Sequence, residues 1–176
     1  MAASGTAGHG AELSAYGALD SIGAIVVKSI AATEWAGNPA PRVHPIAQGM
    51  INAVGLQGLG VQHWIEHDLP AMAAVNASAV VSIWGRSVDE YRQAAQLLHD
   101  GLERSPHRST VIAVEVNLSC PNMHGHGIFA HDIVMSAEVM AACSLLEFPL
   151  WAKLSPNTDR VIAVAQAVHE AGAEAV

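Results

Sequence analysis

From Ile22 to Val176, short β-branched runs alternate with helical segments, and no other feature of the sequence constrains the fold as much. "IGAIVVKS" (Ile22–Ser29) is almost wholly apolar and ends in a lysine and a serine, the pattern of a strand buried on both faces. "ASAVVSIWG", "TVIAVEVNL" and "PLWAKLS" repeat that pattern further along, and "AEAV" at the end reads as the opening of one more strand. Between them lie helices. "SVDEYRQAAQLLHDGLE" places Val88, Tyr91, Ala95, Leu98 and Leu102 at three- and four-residue steps, with Ser87 and Glu90 spaced as a capping box. "SAEVMAACSLLE" and "DRVIAVAQAVHEAG" follow, the second closed by Gly172. "GVQHWIEHDLPAM" is expected to be helical until Pro70 stops it, and Thr33 to about Gly60, rich in Gly, Pro and Asn, to be irregular. Strict βα alternation requires parallel strands under covering helices. An open doubly wound sheet and a (β/α)8 barrel both satisfy that, and the pattern alone does not choose.

Composition narrows the class of partner. The 176 residues fit one domain, and 51% hydrophobic content supplies a core. A net charge of −8 with eight Lys and Arg argues against a nucleic-acid surface and against an anionic membrane. Two cysteines far apart make no disulfide framework, which suits a reducing cytoplasm. No apolar run reaches the roughly eighteen residues of a membrane span, and "MAASGTAGHG" lacks the form of a secretory signal.

The polar residues cluster at strand ends. Lys28, Asn117 with Cys120, and Lys153 lie at or just past the carboxyl ends of expected strands, the rim on which barrels build their sites. A lone strand-end lysine usually marks no more than the approach to solvent. Two of them with an Asn/Cys/Asn group favour a site. Cys143 sits inside the apolar run "MAACSLL", as a structural cysteine should, whereas Cys120 in "NLSCPN" stands among amides and hydroxyls.

Six stretches carry a resemblance: "ASG" (Ala3–Gly5), "VVKS" (Val26–Ser29), "GNPAPR" (Gly37–Arg42), "GMINAVGLQ" (Gly49–Gln57), "EVNLSCPN" (Glu115–Asn122) and "WAKLSPN" (Trp151–Asn157). In this order they resemble the N-terminal half to two-thirds of the class 1 dihydroorotate dehydrogenases, closest to the NAD-linked type or an actinobacterial relative. The resemblance implies a (β/α)8 barrel, of which residues 1–176 would form a single partial domain of about five to six βα units. A whole barrel takes roughly 250 residues, and its phosphate-binding turns typically follow strands seven and eight.

It also implies FMN-dependent oxidation of dihydroorotate to orotate in pyrimidine biosynthesis, with Cys120 as the catalytic base. Asn52, Asn117 and Asn122, with backbone around Gly55 and Leu56, would hold the substrate; amides offer a donor and an acceptor without charge. Ala3, Ser4, Gly5, Lys28 and Ser29 would contact the flavin, together with Asn117, and Lys153 would place a cation beside it. An electron-transfer subunit with FAD and an iron–sulfur cluster, or a homodimer, would be the partner. Gly58 departs from the Asn frequent after "GLQ", and "MHGHGIFAHD" departs from the usual site-covering loop. The alternatives are a flavoenzyme of the dihydropyrimidine dehydrogenase type and a non-catalytic remnant.

Two further signals read as metal sites at first sight. "HWIEH" has H-x-x-E-H spacing, in which two histidines one helical turn apart hold zinc. A solvated amphipathic helix explains it more simply, since no third ligand is placed. His124, His126, His131 and Asp132 are better read as a polar loop. No metal is expected.

Overall fold

The structure, a computed structural model, describes residues 1–120 and 128–176. In chain order the strands are β1 (Ile25–Val26), β2 (Val43–Ile46), β3 (Gly49–Asn52), β4 (Ala79–Ile83), β5 (Val111–Asn117) and β6 (Leu150–Lys153). The helices are α1 (Gly60–His63), α2 (Leu69–Ala74), α3 (Val88–Arg104), α4 (Ile133–Ala142) and α5 (Val161–Glu170).

β1, β4, β5 and β6 form one parallel sheet in that order. Single bridges extend it at both edges, Ala2 beside Ile25 and Ala175 beside Trp151. Each strand is laid beside its predecessor on the same side. A doubly wound sheet reverses its order at a switch point, whereas a barrel never does. The structure therefore selects the barrel alternative, here as a partial barrel.

Alternation along the strands separates two faces. Ile25, Val27, Val81, Ile83, Val114 and Val116, all at most 1% exposed, pack in the main core with the helices. From α3 that core receives Tyr91, Ala94, Ala95, Leu98 and Leu102; Val88, also read into this face from the sequence, is only partly buried and packs against it. Ala24, Val26, Val80 and Ala113 form a separate small cluster on the inner face, with Trp151 against them. Further along the same face the residues turn polar: Ser82 is paired with Glu115 and Asn117 with Lys153 in the strand register. An apolar floor thus underlies a polar rim.

Several elements differ from the sequence expectation. The stretch after Thr33 contains an antiparallel hairpin, β2–β3, exposed at every position. Its two-by-two alternation is masked by Pro45 and by glycine, so composition reads as loop. Pro70 does not stop its helix. The turn Trp64–Asp68 is π-helical, with Leu69 N–H bonding back five residues to Trp64, and α2 restarts with the proline in its first turn. There the missing N–H of proline is no loss. α4 begins at Ile133, three residues before the expected start, because Asp132 caps it by accepting from Met135 N at 3.0 Å. At α3, Ser87 Oγ accepts from Glu90 N at 3.2 Å as expected, but the Glu90 carboxylate turns to Arg86, accepting from its backbone N at 2.7 Å and from its guanidinium. That pairing holds the Glu90 carboxyl below its ordinary range. Gly172 follows α5 with φ 107°, in the left-handed region expected of a helix end.

Candidate active site

The rim is assembled from four strand ends and one N-terminal turn. Lys28 and Ser29 follow β1, and Lys28 N donates to Gly8 O at 2.9 Å, tying the N-terminal segment alongside. Ser4 Oγ donates to Val27 O at 2.8 Å and lies 3.3 Å from Ser29 Oγ, so the Ala3–Gly5 turn caps the end of β1. At Gly5, φ is 81°, and an added Cβ would come to 3.9 Å from Lys28 Nζ. Backbone therefore faces the ammonium here with no side chain between them.

Ser82 ends β4 on the inner face, Glu115 and Asn117 end β5, and Lys153 ends β6. A row of hydrogen bonds joins them. Asn117 Nδ2 donates to Ser29 Oγ at 2.9 Å; Ser29 and Ser82 hydroxyls are 2.8 Å apart; Ser82 Oγ donates to Glu115 Oε1 at 2.6 Å; and Lys153 Nζ pairs with that same Oε1 at 3.2 Å. Asn117 Oδ1 is occupied by Ser119, from backbone N at 3.1 Å and Oγ at 2.9 Å. From the helix layer, buried Tyr91 donates its hydroxyl to Asn117 O at 2.6 Å, which anchors the end of β5 to α3. Burial holds the Tyr91 phenol above its ordinary value, so it remains a donor.

Three chargeable groups sense one another on this rim. Lys28 is held below the ordinary lysine range, chiefly by burial; Cys120 opposes that shift and Lys153 adds to it. Cys120 is a free, partly exposed thiol. Cys143 is its opposite: 0% exposed, its thiol pushed up to about 12 by burial. Chemically, the rim presents one accessible thiol, two ammonium groups, an oriented amide and several hydroxyls.

Gly55 and Leu56 lie on a separate loop. Both take positive φ, 75° and 58°, and a Cβ on Gly55 would approach Asn38 N to 2.9 Å, so a side chain there is excluded. Trp35 fixes this loop: its Nε1 donates to Gly55 O at 2.9 Å, while its backbone pairs with Gly58 in both directions. Arg86 lies over the Trp35 ring at 4.5 Å. Asn52 ends β3 and is exposed; among the described residues no hydrogen bond joins it to the rim. Asn122, His124 and His126 lie outside the described residues. Ser82, Glu115 and Trp35 are not singled out by the sequence, and Tyr91 only as part of the apolar face of its helix. Only Glu115 left a signal there, a carboxylate in an otherwise apolar strand.

A cavity of about 220 Å³ lined by His9, Glu34, Trp35, Gln57, Trp64 and Asp68 lies elsewhere and includes no rim residue. Among the described residues, no group of three or more His, Cys, Asp or Glu side chains gathers to hold a metal ion. Nor is any helix among them long and apolar enough to cross a membrane.

Parallel strands in barrel order, with reactive groups converging on their carboxyl ends, define a βα-barrel fold with its candidate site on the strand-end rim. The comparisons then fix which kind. The dihydroorotate dehydrogenase family model matches residues 1–176, and the chain belongs to that family. It is 41% identical over 178 residues to the "Dihydroorotate dehydrogenase B (NAD(+)), catalytic subunit" of Trichlorobacter lovleyi, and 40% identical to the like-named subunit of Pelobacter propionicus. Each match covers 100% of this chain and 56% of the relative, so the chain spans just over half their length. A solved structure of Eimeria tenella DHODH in complex with ferulenol shares the fold, with a TM-score of 0.65 at 17% identity, over 85% of this chain and 48% of that one. The class 1 resemblance read from the sequence agrees with these matches.

Proposed function

We propose that the protein oxidises dihydroorotate to orotate, the CH–CH oxidation of pyrimidine biosynthesis, with FMN as its flavin. The observation that carries this reading is the convergence of Cys120, Asn117, Lys28 and Lys153 on one strand-end rim. The rim suits a flavin in its chemistry: bare Gly5 backbone leaves room for a flat ring, and two ammonium groups can balance an electron-rich one. Ala3, Ser4, Gly5, Lys28, Ser29, Asn117 and Lys153 would hold it, and when bound it would supply the acceptor for one hydride.

Cys120, as thiolate, takes a proton from one substrate carbon and ends as the neutral thiol; the hydride leaves from the adjacent carbon. Asn117 is preset by Ser29 and Ser119 to present a fixed edge. Asn52, Asn122 and the backbone of Gly55 and Leu56 complete the substrate's hold, with Trp35 keeping that loop in place. The relatives' designation as catalytic subunits supports a separate electron-transfer partner; that this partner carries FAD and an iron–sulfur cluster, that the core is a homodimer and that the setting is the cytoplasm are part of the proposal.

The test is to purify the full-length gene product and record its spectrum with and without dihydroorotate. A flavin band near about 450 nm that bleaches on adding substrate is expected. Flavin-free protein that FMN does not reconstitute, or a band indifferent to dihydroorotate, would overturn the proposal.

A further inference from the structure

We propose that Glu115 is the positioning residue of this rim: one carboxylate that holds the Lys153 ammonium in place and also sets the direction of the hydrogen-bond row that anchors the Asn117 amide. This deepens the proposed function and rests on it, although the geometry belongs to the chain's own residues.

Glu115 lies on the inner face, 8% exposed, and its Oε1 takes both Ser82 Oγ at 2.6 Å and Lys153 Nζ at 3.2 Å. A carboxylate paired with an ammonium can only accept. Ser82 has one proton, and it is committed to Glu115. The 2.8 Å contact between Ser82 and Ser29 must then be donated by Ser29. With its own proton spent, Ser29 can only accept from Asn117, and it does, from Nδ2 at 2.9 Å. Hydrogen-bond polarity therefore runs one way, Asn117 to Ser29 to Ser82 to Glu115. It meets Asn117 at Nδ2 and so agrees with Ser119, whose backbone N–H requires Oδ1 on its own side.

The charge acts a second time through Lys153. Lys28 stands across the rim, already below its ordinary range by burial, with Lys153 pushing it further in that direction. Two ammonium groups on one partly desolvated rim repel each other, and Glu115 is the anion within bonding distance of one of them. It draws Lys153 to the β5 side of the rim and leaves Lys28 to the β1 side.

Two variants separate these roles in the full-length gene product with its flavin removed. Glu115→Gln is nearly isosteric and removes the charge; Ser82→Ala keeps the charge and cuts the row. The readouts are reductive methylation of Lys153 against Lys28 by mass spectrometry, and the Asn117 side-chain amide resonances by NMR. Glu115→Gln should raise methylation of Lys153 relative to Lys28 by roughly tenfold and shift the Asn117 amide signals. Ser82→Ala should shift the amide signals while leaving the lysine ratio within about twofold. Glu115→Asp, which restores the charge, should recover most of the protection of Lys153. An unchanged lysine ratio in Glu115→Gln, an equal rise at both lysines with no recovery in Glu115→Asp, or amide signals unmoved by both variants would each overturn the proposal. None of these readouts depends on flavin or dihydroorotate, so failure here is distinct from failure of the proposed reaction.

Discussion

Cys120 and Cys143 share a chain but differ in surroundings, and the difference is measurable. Cys120 stands partly exposed on the rim; Cys143 is enclosed in the main core with its thiol pushed up to about 12 by burial. At neutral pH a limiting dose of iodoacetamide should label Cys120 and spare Cys143, read by peptide mass spectrometry. In the full-length protein, Cys120→Ala should lower turnover on the order of 10²-fold or more while flavin binding persists, as losing a positioned base does. Cys143→Ala should leave turnover in place and cost about 1 kcal/mol in denaturant unfolding. Equal loss of turnover in both would remove Cys120 from the base's role.

Lys28 gives a second test at this scale. Its folded-state value lies below the unfolded one, so in the window between them the unfolded chain binds more protons and stability rises with pH. Below that window the buried ammonium is a burden on the fold. Lys28→Met should therefore raise the melting temperature of the flavin-free chain at neutral pH by about 1–3 °C, with the gain shrinking as pH climbs towards the lysine range. It should weaken FMN binding at the same time. A melting temperature that falls would show that the lysine is held by favourable contacts instead.

Among the elements, the caps carry the clearest energetics. Ser87 and Asp132 each accept from a first-turn backbone N–H, of α3 and α4 respectively. Ser87→Ala and Asp132→Ala should each cost about 1 kcal/mol in chemical denaturation. The Ser87 cap was legible because serine and glutamate three apart are a local signal. The Asp132 cap was not, because Ile133, Val134 and Met135 blur the start of an unusually apolar helix.

Legibility follows the range of the interaction. The α3 face and the strand-end positions of Lys28, Asn117, Cys120 and Lys153 come from local periodicity, whereas the strand order does not, since the alternation fits a doubly wound sheet as well as a barrel. The Ser29–Ser82–Glu115 row crosses three strands, 53 residues separating the two serines and 33 separating Ser82 from Glu115. No window of sequence contains it. The π-helical turn before Pro70 was hidden for another reason. A proline inside an apolar period signals a stop, and only the packing of Trp64, Leu69 and Met72, all 0% exposed, makes continuing the helix worthwhile.

Over the whole molecule, the exposed hairpin β2–β3 stands out. It carries Val43, Ile46, Met50 and Ile51 at 48–65% exposure on a two-stranded ribbon, attached through Arg42 to the Ala36, Asn38 and Gln57 loop. Isolated two-stranded ribbons hold poorly in water, and apolar surface of this kind promotes association. The 176-residue chain alone should elute as a dimer or larger species in size-exclusion chromatography with light scattering. Met50→Glu with Ile51→Lys should shift it towards monomer. A monomer at tens of micromolar before any substitution would show that the hairpin is self-sufficient.

The order of the parallel sheet has a consequence for how such a chain emerges from the ribosome. Within the parallel sheet each strand's neighbour is the sheet strand synthesised before it, so the sheet can grow by accretion as the chain appears. Glu115 is made long before its cation. Until β6 arrives, a nascent sheet ending at β5 presents a carboxylate with no ammonium beside it, an arrangement that favours reopening over closing. Delivery of Lys153 neutralises it, and Leu118 N–H bonds to Lys153 O in the same step. The groups that furnish the rim thus also act as a latch, closing the growing sheet once the strand that belongs there has been translated.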